Sequence, residues 1–193
     1  MRPLPTVGLI EMGRLGEVAV RVVAANLQTL LDLPVEILDP AVMPQQCFLT
    51  QRQQYDAGLI VKHLAQLPLS SHLRILGLTV FDLCLPILTY VYGEAEVGGR
   101  AAVISNFRLR QNEDGSPIAP EIYFERLAKV AVHEVAHTLA LHHCEDAKCL
   151  MRFAARLKQL DQIPLLFCDH CEFALRMNLK QILHDLHRVP EMK

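Results

Sequence analysis

The apolar positions of this 193-residue chain follow two rhythms. Short unbroken runs predict buried strands, and longer stretches with apolar residues three or four apart predict helices. Thr6–Ile10 is the first run, followed by a helical stretch from about Arg14 to Leu31. A second strand at Val35–Leu38 ends at Asp39-Pro40, and Met43–Gln54 is polar and proline-punctuated, a predicted loop. Asp56–Leu67 has helical spacing and stops before Pro68. Leu73–Val80 is apolar at nearly every position, as a central strand covered on both faces must be. Thr89–Ala95 and Arg100–Ser105 predict two more strands with Gly98-Gly99 as the turn between them. The longest helix is predicted from about Pro120 to Leu141, and a last one from about Glu172 to His187.

Strands alternating with helices imply an α/β fold with a mostly parallel sheet. A tight turn at Gly98-Gly99 makes at least one strand antiparallel. The length suits one domain with a sizeable core, or a domain with a small appendage. The chain is 51% hydrophobic and 21% charged, with a net charge of -2 and no tryptophan, which sets it apart from disordered chains. Its basic residues do not cluster beyond Arg108–Arg110, so no nucleic-acid partner is expected. Glu11, Arg14 and Glu17 interrupt any secretory hydrophobic region, and no stretch is apolar enough for a membrane span, so the expected location is the cytoplasm. The oligomeric state is not legible.

Candidate chemistry concentrates in VHEVAHTLALHHC, residues 132–144. His133 and His137 lie four apart and share one helix face, where both imidazoles can meet one ion. Glu134 is rotated off that face and can reach a water on the ion without ligating it, which is why H-E-x-x-H on a helix points to a zinc hydrolase. A catalytic zinc needs a third protein ligand and an open position. On a continuous helix His143 would lie roughly 9 Å farther along the axis, so the helix must stop and the chain turn back. In the long motif H-E-x-x-H-x-x-G-x-x-H a glycine allows that turn, and here Ala140 occupies its place. The expected third ligand is His143, with His142 as the alternative.

Six cysteines remain to be explained. Cys144-x4-Cys149 and Cys168-x2-Cys171 form two pairs near the C-terminus, while Cys47 and Cys84 stand alone. Four thiolates around one ion make a closed structural zinc site. Disulfides, or a redox pair at Cys168-Asp169-His170-Cys171, are the alternatives. Met151, eight residues past His143, fits the methionine turn that accompanies the long zinc motif.

HEVAHTLALHHCEDAKCLM followed by CDHC resembles the archaemetzincins, a family of metzincin-like zinc metalloproteases. His133, Glu134, His137, His143, Cys144, Cys149, Met151, Cys168 and Cys171 match that pattern, whereas Ala140 departs from it. The match is direct over the C-terminal third, and FDLCLPILTYVYGEAEVGGRAAVIS is similar in character to the stretch before the family's active-site helix. The resemblance implies a mixed sheet with one antiparallel edge strand, a backing helix, an active-site helix and a small zinc-bound C-terminal subdomain. The division expected is 1–143, ending at the third histidine, and 144–193, with the Met-turn and the four-cysteine site. An extended peptide or protein substrate would lie along an edge strand, for which Tyr90–Ala95 is the candidate. Glu94 and Glu96 are either solvent-facing or cleft-lining, and Tyr90 and Tyr92 either packing residues or oxyanion donors. Cys47 stays open as an inhibitory thiol.

The expected function is hydrolysis of peptide bonds with two zinc ions, one catalytic and one structural, and Glu134 as general base and acid. The alternative, motivated by Ala140, is a zinc-stabilised peptide- or protein-binding protein without proteolysis.

Overall fold

The computed structural model describes residues 5–69 and 71–188; the outer ends of both expected subdomains, 1–4 and 189–193, lie outside the described residues. The chain runs β1 (Thr6–Met12), α1 (Glu17–Leu31), β2 (Val35–Ile37), a 3-10 turn (Gln45–Cys47), β3 (Phe48–Leu49), β4 (Gln54–Asp56), α2 (Ala57–Ala65) and β5 (His72–Thr79). It continues through β6 (Leu83–Leu85), β7 (Leu88–Val91), β8 (Gly93–Ala95), β9 (Ala101–Ser105), α3 (Pro120–Thr138), α4 (Leu157–Gln162) and α5 (Asp169–Arg188).

A five-stranded sheet in the order β2-β1-β5-β9-β8 forms the frame. Its first four strands are parallel, and β8 at the edge runs antiparallel to β9, the strand direction expected from the turn at Gly98-Gly99. Side chains alternate between the two faces, and both faces are covered. Val7, Leu9, Leu76, Leu78, Ala102 and Ile104 join α1 and α3 in one core cluster. Ile10, Met12, Ile75, Ala101 and Val103 join α2 in the other. Two-sided burial explains why these strands read as continuous apolar runs rather than alternating ones. The first cluster also takes in Cys149, Leu150, Met151, Leu157, Leu160, Ile163 and Leu175, so the C-terminal part shares the core of the sheet.

Several boundaries differ from expectation for identifiable reasons. Gly13 and Gly16, at φ 115° and 94°, hold an extended loop, so α1 starts at Glu17 rather than near Arg14. Met43–Gln54 contains the 3-10 turn, β3 and the first residue of β4, because a second small sheet, β3-β4-β6-β7, exists. Its strands span only two to four residues, and its two short hairpins are joined non-locally, Tyr55 beside Leu83, so no periodic pattern announces them. Thr89–Ala95 is not one strand: the chain switches sheets at Tyr92, from β7 to β8. Arg52 holds β7 in the small sheet by donating to the carbonyls of Leu85, Leu88 and Thr89. Helix α4 carried no strong signal. Arg126 of α3, almost fully buried, grips Asp161 of α4 through two hydrogen bonds of 2.6 and 2.7 Å. Among the described residues no helix is long and apolar enough to cross a membrane.

Candidate metal centres and cleft

Helix α3 carries His133 and His137 one turn apart, with ring centroids 4.6 Å apart. Each ring is fixed from behind. His133 Nδ1 donates to the Leu150 carbonyl at 2.8 Å, and His137 Nδ1 donates to the Leu141 carbonyl at 2.7 Å. A carbonyl only accepts, so both Nδ1 atoms carry the proton and both Nε2 atoms present lone pairs. Those two Nε2 atoms are 3.0 Å apart. Two lone pairs at that distance repel unless a cation lies between them and accepts from both. Burial, then His137, drives the His133 pKa down to about 3, and burial lowers His137 as well. Both rings are therefore held neutral, the form that binds metals.

The third imidazole arrives because α3 stops. Leu139 is its cap, and Ala140 adopts a left-handed conformation at φ 63°. Leu141 N–H reaches back to Ala136 O at 3.1 Å and Ala140 N–H to His137 O at 2.9 Å, the paired bonds of a Schellman ending. The remaining carbonyls of the helix end find donors elsewhere. Arg74 Nε donates to Thr138 O at 2.9 Å, and Gly98 N–H, at the turn between β8 and β9, adds a second bond to His137 O at 2.9 Å. Asn178 of α5 donates to Leu139 O at 2.9 Å and Ala140 O at 3.3 Å. Gly98 sits at φ 69°, and a Cβ there would lie 3.8 Å from that of Ala140. Past this bend His143 faces back, with its ring centroid 5.3 Å from His133 and 4.8 Å from His137. Ligand nitrogens of all three lie within 4.8 Å of one another. Tetrahedral zinc separates two imidazole nitrogens by roughly 3.3 Å, so the donor set suits that ion and leaves a fourth position open. His142 lines the neighbouring cleft outside this cluster.

Glu134 is 9% exposed, and its carboxylate receives no hydrogen bond from a described residue. It lies over Gly93 of β8, where a Cβ would sit 2.6 Å from Glu134 Cγ. Burial, then the nearby Glu94, pushes its carboxyl up to about 8. The carboxylate faces a cleft of about 600 Å3 between β7–β8 on one side and Leu150, Phe153 and Leu160 on the other. Glu94 lines that cleft, whereas Glu96 does not and packs beside Gly99. Tyr90 spans the cleft: its hydroxyl donates to Ala155 O at 3.2 Å, Arg108 stacks over its ring at 4.1 Å, and Tyr92 meets it edge-on at 5.5 Å. Both tyrosines are engaged in packing.

The four C-terminal cysteines converge next door. Their sulfurs lie within 4.8 Å of one another, Cys144 and Cys168 at 3.9 Å, and none is in a disulfide. Zinc in a tetrahedral thiolate set separates sulfurs by roughly 3.8 Å, so this set suits a closed site. Cys168 caps α5, and the Cys171 backbone N–H on its sulfur lowers its pKa, while burial raises Cys149 and Cys171. Cys47 is buried in the opposite core cluster and does not line the cleft. Met151 is fully buried in the turn that joins the two centres. Its carbonyl accepts Cys144 N–H at 2.9 Å, and the carbonyl one residue earlier holds His133. Sequence reasoning missed the backbone carbonyls of Leu141 and Leu150, the space at Gly93, and Asn178.

Residues 18–177 match the model of peptidase family M54. The chain is 34% identical to the archaemetzincin of Archaeoglobus fulgidus over 157 residues, covering 81% of this chain and 91% of that one. It is 37% identical to that of Methanopyrus kandleri over 141 residues, covering 73% and 77%. The crystal structure of the Methanopyrus kandleri protein superposes with a TM-score of 0.81 at 32% identity, over 92% of this chain and 96% of that one. A zinc-dependent peptidase from Methanocorpusculum labreanum superposes with a TM-score of 0.77 at 28% identity, over 88% and 99%.

Proposed function

The chain belongs to peptidase family M54, the archaemetzincins, which makes it a zinc metallopeptidase acting on peptides or proteins, and from this premise we propose an assignment of its working residues. His133, His137 and His143 hold the catalytic zinc, and Cys144, Cys149, Cys168 and Cys171 hold a second, structural one. The observation that carries the first assignment is the 3.0 Å approach of two Nε2 lone pairs whose Nδ1 protons are committed to carbonyls.

A zinc ion held by His133, His137 and His143 would supply Lewis acidity for the scissile carbonyl and for a water. Glu134 accepts the proton of the attacking water and passes it to the leaving amine. Beside such an ion, Glu134 would be held ionised despite the burial that raises its carboxyl. The edge of β8 not paired with β9 faces the cleft, which supports an extended substrate adding a strand there. Glu94 in the cleft wall disfavours acidic side chains beside the scissile bond. The Met-turn at Met151 joins the 1–143 and 144–193 parts by holding one histidine and one cysteine in place.

The reading as a zinc-stabilised binding protein depends on a displaced His143, and the bend at Ala140 gives it no support. Glu134→Ala, assayed on a peptide library with zinc measured alongside, should keep its metal and lose cleavage by about 10²–10⁴-fold. An undiminished rate in that variant removes the assignment of Glu134.

A further inference from the structure

Asn178 lies on α5, 38 residues beyond Ala140, and its half-buried side chain reaches back to the end of α3. If α3 ran on, Leu139 O would accept the N–H of His143 and Ala140 O that of Cys144, by the ordinary i to i−4 rule. In the structure those two carbonyls take the Asn178 amide instead, and no other described residue donates to them. Cys144 N–H goes to Met151 O. The Asn178 amide thus satisfies the acceptors that helix continuation would otherwise claim, so it favours the bent chain over the straight one.

From this we infer that Asn178 is a positioning residue for the histidine cluster, holding Ala140 left-handed so that His143 completes it. The inference rests on the histidine reading above. It has weight because an alanine disfavours the left-handed conformation by roughly tenfold relative to glycine. If the bent form is only part of the population, the apparent metal affinity falls in proportion to the bent fraction. Glycine at position 140 would fill the bent state without help, so the need for Asn178 should vanish there.

The test titrates Co2+ into the metal-free full chain after Cd2+ has filled the soft thiolate site. It compares wild type, Asn178→Ala, Ala140→Gly and the double variant, reading the visible cobalt absorption. Asn178→Ala should weaken Co2+ binding by about fivefold or more and change the shape of the cobalt band as one nitrogen is lost. In the Ala140→Gly background the same change should cost less than about twofold, and Cd2+ uptake should hold throughout. Should Asn178→Ala alone fail to fold, rescue of folding by Ala140→Gly supports the same coupling. Unchanged Co2+ binding in Asn178→Ala, or an equal loss with glycine at 140, overturns the inference. A wild-type chain that develops no cobalt band once Cd2+ is bound overturns the histidine reading itself, and the inference with it.

Discussion

Gly93→Ala displaces Glu134, the proposed general base, without substituting it. The methyl group would sit 2.6 Å from Glu134 Cγ, 3.0 Å from its Cδ and 2.9 Å from the Val103 carbonyl. Carbon atoms in contact rest at about 3.5–4.0 Å, so Glu134 must retreat by about 1 Å. The Val103 oxygen belongs to β9, inside the sheet, and has little freedom to yield. The side chain therefore gives way first, at a cost of about 1–3 kcal/mol for overpacking. A catalytic group misplaced by that distance loses about 10²-fold in rate. A saturating peptide-cleavage assay should show that fall in kcat with zinc content unchanged. Combined with Glu134→Gln, Gly93→Ala should add little further loss, because both act through one carboxylate. A kcat within about twofold of wild type, with zinc retained, would refute the packing argument.

Two further outcomes follow from the electrostatics and the thiol cluster. In chain stripped of metal, Glu134 titrates near 8 when folded against an ordinary 4.5, so between those values the folded state holds a proton that the unfolded state has released. The Glu134 contribution to stability should therefore fall as pH rises through that window, by roughly 3–5 kcal/mol at most, against the opposite trend of His133 and His137, whose lowered pKa values add stability as pH rises towards 6.5. The difference in urea unfolding between wild type and Glu134→Gln should change by that amount, and parallel pH curves contradict it. Cys171→Ser should remove one zinc per chain and lower the Tm by about 10–20 °C, given the several kcal/mol of folding energy in a structural zinc; a wild-type Tm would contradict a structural role.

The parts of this fold that could be read in advance are those whose chemistry is local. Leu73–Val80 declared itself because a strand covered on both faces has no polar positions. His133, Glu134 and His137 declared themselves because helical spacing alone sets their directions. Residues whose role depends on distant partners gave no signal. Asn178 looks like any polar residue of a surface helix until α5 is packed against the end of α3. Tyr92 reads as mid-strand because nothing near it reveals that Arg52 holds β7 in another sheet while Glu134 packs over Gly93 in β8. Ala140 lies between these cases. Its place in the long zinc motif predicted a turn, but the carbonyls around the left-handed Ala140, at φ 63°, are met by Gly98, Arg74 and Asn178, none of which is near in sequence.

The most direct measurement is zinc per chain by mass spectrometry after dialysis against a chelator that wild type withstands. Wild type should hold two ions and His143→Ala one, with the four cysteines still protected from alkylation. One ion in wild type, or two retained in His143→Ala, would contradict a cluster completed by the chain folding back at Ala140.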